Sequence, residues 1–376
     1  MNKESIPMFK VKMSEKAHIL VSEVLASEMI GEGPKVEEFT RALQKRFSFQ
    51  NVLLLNSGTS AITLAARLIG LKPGDEVIST PFTMIATNVA LMPFDAKIIW
   101  ADINDDNVNI SVDSIRKKIT SKTKAIVVTH VGGIPCEMDR IMEFDIPIIS
   151  DCAHAIGTRY NGHHISYWAD YSCFSFQSIK QLNTGDGGAL IVKDNNKFEM
   201  AEKLKWFGMT RKVPYGITRL QHQMTADVPD WGYKMHMNDI SASIGIANVE
   251  CLDDVVNAHI DNANYYLNQL KDVRHISIPT IPEKALPSWW VFYIFVEKRD
   301  RFMKYMEERR IVTTPMWRRN DKYSTFKCLT NSIPYTIPYT LPNMDKLQNK
   351  IVFIPVGWWL TKDDRMYIVK CIKEFR

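Results

Sequence analysis

The stretch VLLLNSGTSAITLAARLIG, residues 52–70, decides the fold. Four apolar residues, the length of a buried strand, run into a turn of small residues, Asn56-Ser57-Gly58-Thr59-Ser60, and then into a helix-like segment. Outward from it the alternation repeats. EVIS (76–79), KIIW (97–100), AIVV (125–128), IPIIS (146–150), CFSF (173–176) and ALIV (189–192) each fit a buried strand, and DSIRKKI (113–119) is one of the helix-like pieces between them. Strand–helix alternation of this kind predicts an α/β fold, a mostly parallel seven-stranded sheet flanked by helices on both faces. Upstream, residues 14–46 have helical periodicity broken by Gly31-Glu32-Gly33-Pro34. Downstream, residues 208–237 form a polar stretch with Pro and Gly and no period, and a loop of that length tends to be functional. A helical pattern then runs from Asn238 to about Leu270. The pieces after it predict a smaller α+β C-terminal domain whose last helix lies near Lys362–Glu374. The expected division is residues 1–250 for the large domain and 251–376 for the small one.

At 376 residues the chain is long for one typical domain, in keeping with two lobes. Its 45% hydrophobic and 24% charged residues exclude a disordered chain. Net charge is +5, from 47 Lys and Arg against 42 Asp and Glu, with no basic block, so nucleic acid is not an expected partner. Six cysteines, at 136, 152, 173, 251, 328 and 371, form no CxxC pair and no finger spacing. They read as reduced thiols of a cytoplasmic protein with no metal site. MNKESIPMFKVKM at the start has no apolar core of a secretory signal. WWVFYIFV (289–296) is far shorter than the ~20 residues a membrane helix needs and reads as a buried strand.

Four local features carry chemistry. The turn at 56–60 opens a helix, where free N–H groups and hydroxyls suit a phosphate; a simple helix N-cap fits the same residues. Asp151 ends the strand IPIIS, the edge where ligands bind in open α/β sheets, and it also fits a cap. Lys180 stands between the aromatic strand FSF (174–176) and the glycine turn TGDGG (184–188). Enclosure there lowers its pKa toward a nucleophilic amine; an exposed surface lysine is the alternative. GYKMHMND (232–239) closes the long loop, and Asn238 or Asp239 fits a cap for the next helix. A phosphate cradle, a strand-end Asp and an enclosed Lys, in that order on a parallel sheet, suit pyridoxal 5′-phosphate. The carboxylate keeps the pyridine nitrogen protonated, and the amine forms a Schiff base. No GxGxxG follows a strand and no Walker A motif is present, so a dinucleotide or nucleotide fold is disfavoured.

From about residue 14 to the C-terminus the sequence resembles the DegT/DnrJ/EryC1/StrS family of sugar-nucleotide aminotransferases, of PLP fold type I. The matches occur in order: GEGPKVEEF (31–39), NSGTSA (56–61), LKPGDEVISTPFT (71–83), SDCAHAIGT (150–158), FSFQSIK (174–180), TGDGG (184–188) and GYKMHMNDISASIG (232–245), with SWWVFYIFV (288–296) and FIPVGWWLT (353–361) resembling the C-terminal strands. The resemblance implies that Lys180 holds the cofactor, Asp151 pairs with its pyridine nitrogen and His154 meets its phenolic oxygen. It implies phosphate contacts from Gly58, Thr59 and Ser175, and from Lys234 across the interface of a homodimer. It further implies transfer of an amino group from L-glutamate to a nucleotide-linked keto sugar, commonly a 4-keto-6-deoxyhexose, with Lys180 moving the proton.

Three departures bear on this. Met84 stands where members carry an aromatic against the cofactor ring; a thioether packs on a ring face too, and Phe82 is the other candidate. Asp186 replaces a commoner Glu. MWRRNDKYS (316–324) replaces the usual His-Tyr segment. There Arg319 and Asn320, with His236 from the long loop, are candidate contacts for a carboxylate or diphosphate, and a solvated basic turn is the alternative. A sugar dehydratase of the same fold is the enzymatic rival, although its 3-dehydratase branch replaces the lysine by His. A non-catalytic regulator sensing PLP or a sugar nucleotide is the rival of another class.

Overall fold

The computed structural model describes residues 5–210, 221, 224, 227–326 and 340–376. The central sheet holds β1 (Val52–Leu55), β2 (Glu76–Ser79), β3 (Lys97–Trp100), β4 (Thr123–Thr129), β5 (Ile148–Asp151), β6 (Tyr171–Ser175) and β7 (Gly188–Val192). Its order is β1-β7-β6-β5-β4-β2-β3. The pairs β6–β5, β5–β4, β4–β2 and β2–β3 are parallel, while β7 runs antiparallel to both its neighbours. Most of these strands are near-continuous apolar runs because both faces of the sheet are covered. Alternate residues go to opposite sides: Leu53, Leu55, Val127, Ile149 and Leu190 join one core, and Val52, Leu54, Ile126, Val128 and Ile191 the other.

Register sets the edge that matters. Leu55 and Ser175 both pair with Gly188, and Asp151 pairs with Thr129 on one side and Cys173 on the other. The C-terminal ends of β1, β4, β5 and β6 therefore lie side by side. At Gly188 a Cβ would fall 2.4 Å from the Ser57 carbonyl carbon, so only glycine lets the 56–60 turn lie flush on β7.

The second lobe is built on the helix Leu252–Leu270 and an antiparallel sheet of β8 (Ile276–Ser277), β9 (Phe292–Val296) and β10 (Ile351–Ile354) in the order β8-β9-β10, with the helix Lys362–Glu374 behind it. The apolar run at 289–296 is fully buried, and its last five residues are β9. The helical pattern after Asn238 resolves into two helices, Asp239–Val249 and Leu252–Leu270. Residues near the start belong with this lobe: Ile6 bridges to Ile311, and the Trp359 indole donates to the Pro7 carbonyl at 3.1 Å.

Among the described residues, five cysteines are unpaired, no helix is long and apolar enough to cross a membrane, and no cluster of three His, Cys, Asp or Glu is placed to hold a metal. Cys328 and residues 211–220, 222–223 and 225–226 of the long loop lie outside the described residues.

Candidate active site

At the shared edge, Ser57 caps the helix Gly58–Ile69, its Oγ accepting the Ser60 N–H at 3.0 Å, while Ser60 Oγ donates to Asn56 Oδ1 at 2.7 Å. The cap and the anion cradle are thus compatible: the cap takes Ser60, and among the described residues the N–H groups of Gly58 and Thr59 have no partner. Gly58 sits so close to β6 that a Cβ would lie 2.9 Å from Ser175 Cβ, which brings the half-buried Ser175 beside the turn. The 232–237 segment borders it as well. Asn56 N–H donates to Met235 O at 2.8 Å, and Leu55 bridges to His236. Lys234 is exposed there, and the His236 ring meets Trp206 edge-on at 4.5 Å.

Asp151 is buried at the end of β5. Its Oδ2 accepts from Thr87 Oγ1 at 2.7 Å and its Oδ1 from Ala153 N–H at 3.1 Å. Burial raises its pKa, while those two donors and the positive charge of Lys180 pull it back. Lys180 follows β6 in a turn closed by its own N–H to Gln177 O at 2.8 Å. Its Nζ lies 3.4 Å from the centre of the Trp290 ring. Burial draws its pKa down to about 7 against the opposing pull of Asp151. Lys180 is half-buried, with its amine against the face of the Trp290 ring.

His154 is buried with its ring stacked on Trp290 at 4.1 Å, tilted by 22°, and close to parallel to Trp317 at 5.5 Å. Burial, then the charge of Lys180, hold it well below its ordinary pKa, so the ring is neutral. Its Nδ1 is buried without a hydrogen-bond partner, a cost that a bound polar group removes.

Two of the candidate substrate contacts are held by protein partners. The Arg319 guanidinium is buried and committed to carboxylates: Nε and Nη2 donate to Asp321 at 2.7 and 2.8 Å, and Nη1 to Asp345. Asn320 is fully buried, with its N–H on Pro81 O at 2.7 Å and its Nδ2 on Thr83 O at 2.9 Å, while its Oδ1 accepts from Asn88 Nδ2 at 2.9 Å. Arg319 is thus paired within the 319–345 region, and Asn320 fastens that region to the 80–88 loop. Phe82 is likewise packed inside, against Trp317 and Phe353, whereas Met84 is 49% exposed at the start of the helix Ile85–Val89. Of the two caps left open, Asn238 caps the helix Asp239–Val249. Asp239 instead accepts the N–H groups of Gly33 and Val36, at 2.8 and 3.0 Å, at the start of the helix Pro34–Phe47. Thr87, Trp290 and Trp317 escape sequence reasoning. Trp290 lies inside an apolar run that reads as a strand and Trp317 inside a basic segment that reads as a turn, and Thr87 has no periodic signal at all.

The residues present fit pyridoxal phosphate: an anion-ready turn, a carboxylate for a pyridinium, an amine near neutral pKa, and an orphaned imidazole nitrogen between them. A lysine amine whose pKa burial draws down suits Schiff-base chemistry, and its place with Asp151 at the edge of this mostly parallel sheet agrees with a pyridoxal-phosphate enzyme of fold type I. The family model described as DegT/DnrJ/EryC1/StrS aminotransferase family matches residues 12–373, and the chain belongs to that family. It is similar to the sugar aminotransferase CalS13 from Micromonospora echinospora, at 31% identity and TM-score 0.91, covering 99% of this chain and 100% of that one. It is 28% identical to the GDP-perosamine synthase of Escherichia coli O157:H7, over 98% of each chain. It is also 28% identical to the dTDP-4-dehydro-2,3,6-trideoxy-D-glucose 4-aminotransferase of Saccharopolyspora spinosa, over 78% of this chain and 79% of that one.

Proposed function

We propose that this aminotransferase moves an amino group from L-glutamate to the ketone of a nucleotide-linked sugar, a 4-keto-6-deoxyhexose, in the cytoplasm, giving an amino-deoxy sugar for surface polysaccharide or glycoconjugate synthesis. The observation that carries the reading is Lys180 at the sheet edge, its Nζ 3.4 Å from the centre of the Trp290 ring and its pKa drawn down by burial to about 7 against the pull of Asp151. Near neutral pH both its protonated and free forms are populated, so Nζ can take a proton from a carbon acid and return it. Pyridoxal phosphate, when bound, supplies an aldehyde that takes up the amino group and a ring that draws electrons from the adjoining carbon. With the cofactor bound, Asp151 would face its ring nitrogen, and Gly58, Thr59 and Ser175 would hold its phosphate, with Lys234 of a second subunit completing the site in a homodimer. Met84 would cover the ring, His154 would offer its open Nδ1 to the phenolic oxygen, and His236, near the phosphate turn, would serve the substrate. Two of the relatives reported above are named for nucleotide-linked sugars, and one for amination at the 4 position.

The test is a panel of UDP-, dTDP- and GDP-linked 3- and 4-keto sugars with L-glutamate, read by mass spectrometry. Glutamate alone should shift the visible spectrum of the bound cofactor, and at least one 4-keto sugar should be aminated. A spectrum indifferent to glutamate, with no aminated product from any sugar, refutes the proposal.

A further inference from the structure

Asp151 is a buried carboxylate that must stay ionised to do what the proposed reading asks of it, and burial works against that. What opposes burial comes from the chain itself. Each carboxylate oxygen receives one donor, Oδ1 the Ala153 N–H and Oδ2 the Thr87 hydroxyl. Thr87 Oγ1 in turn lies 2.8 Å from Thr83 Oγ1, and Thr129 Oγ1 donates to Thr83 Oγ1 at 3.2 Å. A hydroxyl has one proton. Thr87 gives its proton to Asp151, so Thr83 must donate to Thr87, and Thr129 to Thr83. Every hydroxyl dipole in the row then points at the carboxylate.

The three threonines come from separate places: the helix Ile85–Val89, the loop after β2 and the end of β4. All are buried, at 1%, 0% and 3% exposure for Thr87, Thr83 and Thr129. Valine has the same shape and would fill these sites without burying a hydroxyl, so packing does not call for threonine. Asn320 pins the row from the second lobe through its bond to the Thr83 carbonyl.

We propose that Thr87, Thr83 and Thr129 are positioning residues, a polarised hydroxyl relay that keeps Asp151 charged and aimed and so holds the cofactor's ring nitrogen protonated. The inference rests on the reading of Asp151 as the partner of that nitrogen.

The test uses the full-length protein and pyridoxal 5′-phosphate labelled with 15N at the ring nitrogen. Two quantities are read in wild type, Thr87→Val, Thr87→Ser, Thr83→Val and Asp151→Asn: the cofactor's dissociation constant and the 15N chemical shift. A hydrogen bond to a charged group predicts a loss of affinity of about tenfold to a hundredfold in Thr87→Val. The 15N resonance should move toward the unprotonated value, and Thr87→Ser, which keeps the hydroxyl, should restore both. Thr83→Val should shift the same way by about twofold to threefold, the scale of cooperative strengthening along a chain of hydrogen bonds. If Thr87→Val matches wild type while Asp151→Asn is impaired, the relay is refuted and the role of Asp151 stands. If Asp151→Asn also matches wild type, the role of Asp151 falls first and the relay with it. Equal impairment of Thr87→Val and Thr87→Ser means packing alone and overturns the relay. Should circular dichroism show Thr87→Val unfolded, Thr83→Val decides: an unmoved 15N resonance there refutes the relay.

Discussion

Lys180 makes a prediction about stability that needs no substrate. Its pKa falls from the ordinary 10.5 to about 7 in the folded chain, because burial disfavours the ammonium more than Asp151 favours it. In the unfolded chain the amine keeps its ordinary value. Between about pH 7 and 10.5 the unfolded state therefore binds more protons than the native one, and the native state gains stability as pH rises through that window. Below pH 7 the amine is protonated in both states and the penalty is present in full. Each pH unit inside the window is worth at most about 1.4 kcal/mol. The real slope is smaller, since Lys180 is only half-buried and its Nζ faces the Trp290 ring, which attracts a cation. About half the limiting slope is the expected value. The perturbation is Lys180→Met, which keeps the stem and removes the charge. Stripped of cofactor, Lys180→Met should be more stable than wild type near pH 7, and wild type should close that gap as pH rises to 10. Urea denaturation of both proteins at half-unit steps from pH 6.5 to 10 measures it. A difference that stays constant across the series means that Lys180 titrates at its ordinary pKa, and the case for a proton carrier at neutral pH goes with it.

Three further outcomes follow from the same geometry. Arg319→Ala leaves the fully buried Asp321 carboxylate without its bidentate partner and should cost about 3–5 kcal/mol in urea unfolding, while any folded protein keeps its KM for the sugar nucleotide. A raised KM with unchanged stability would restore Arg319 as a substrate contact. Gly188→Ala puts a Cβ 2.4 Å from the Ser57 carbonyl carbon, so the phosphate turn must shift; cofactor affinity should fall at least about tenfold with the far-ultraviolet spectrum unchanged, and wild-type affinity counts against the cradle. Lys180→Ala and Lys234→Ala should each be inactive or weak alone. Refolded together they should regain about a quarter of wild-type activity, because mixed dimers rebuild one site from both chains. No recovery on mixing argues that Lys234 serves its own subunit.

The strands were legible because each is buried on both faces. Such a strand appears as a short aliphatic run between turn residues, and EVIS, KIIW and VLLL coincide with β2, β3 and β1 to the residue. Asp151 and Lys180 were legible because each stands at the end of such a run, beside residues with a reason to turn. The helical pattern from Asn238 was legible as helix, but not as two helices, because the break at Glu250–Cys251 interrupts neither composition nor period.

The basic segment at 316–324 shows where sequence stops. In one dimension Arg319 has an open choice between solvent, ligand and carboxylate. Its commitment to Asp345 and Asp321 depends on a helix at Pro342–Leu347 that folds back on it. The same holds for Trp290 beneath Lys180 and for the threonines behind Asp151, whose partners lie on separate elements. By itself the sequence determined the sheet and the placing of Asp151 and Lys180 at strand ends, because strand formation and strand-end placement are set by local composition. Only the tertiary structure decided which cations are paired and which polar groups are satisfied. Those depend on burial and on contacts between distant residues, and neither leaves a periodic trace along the chain.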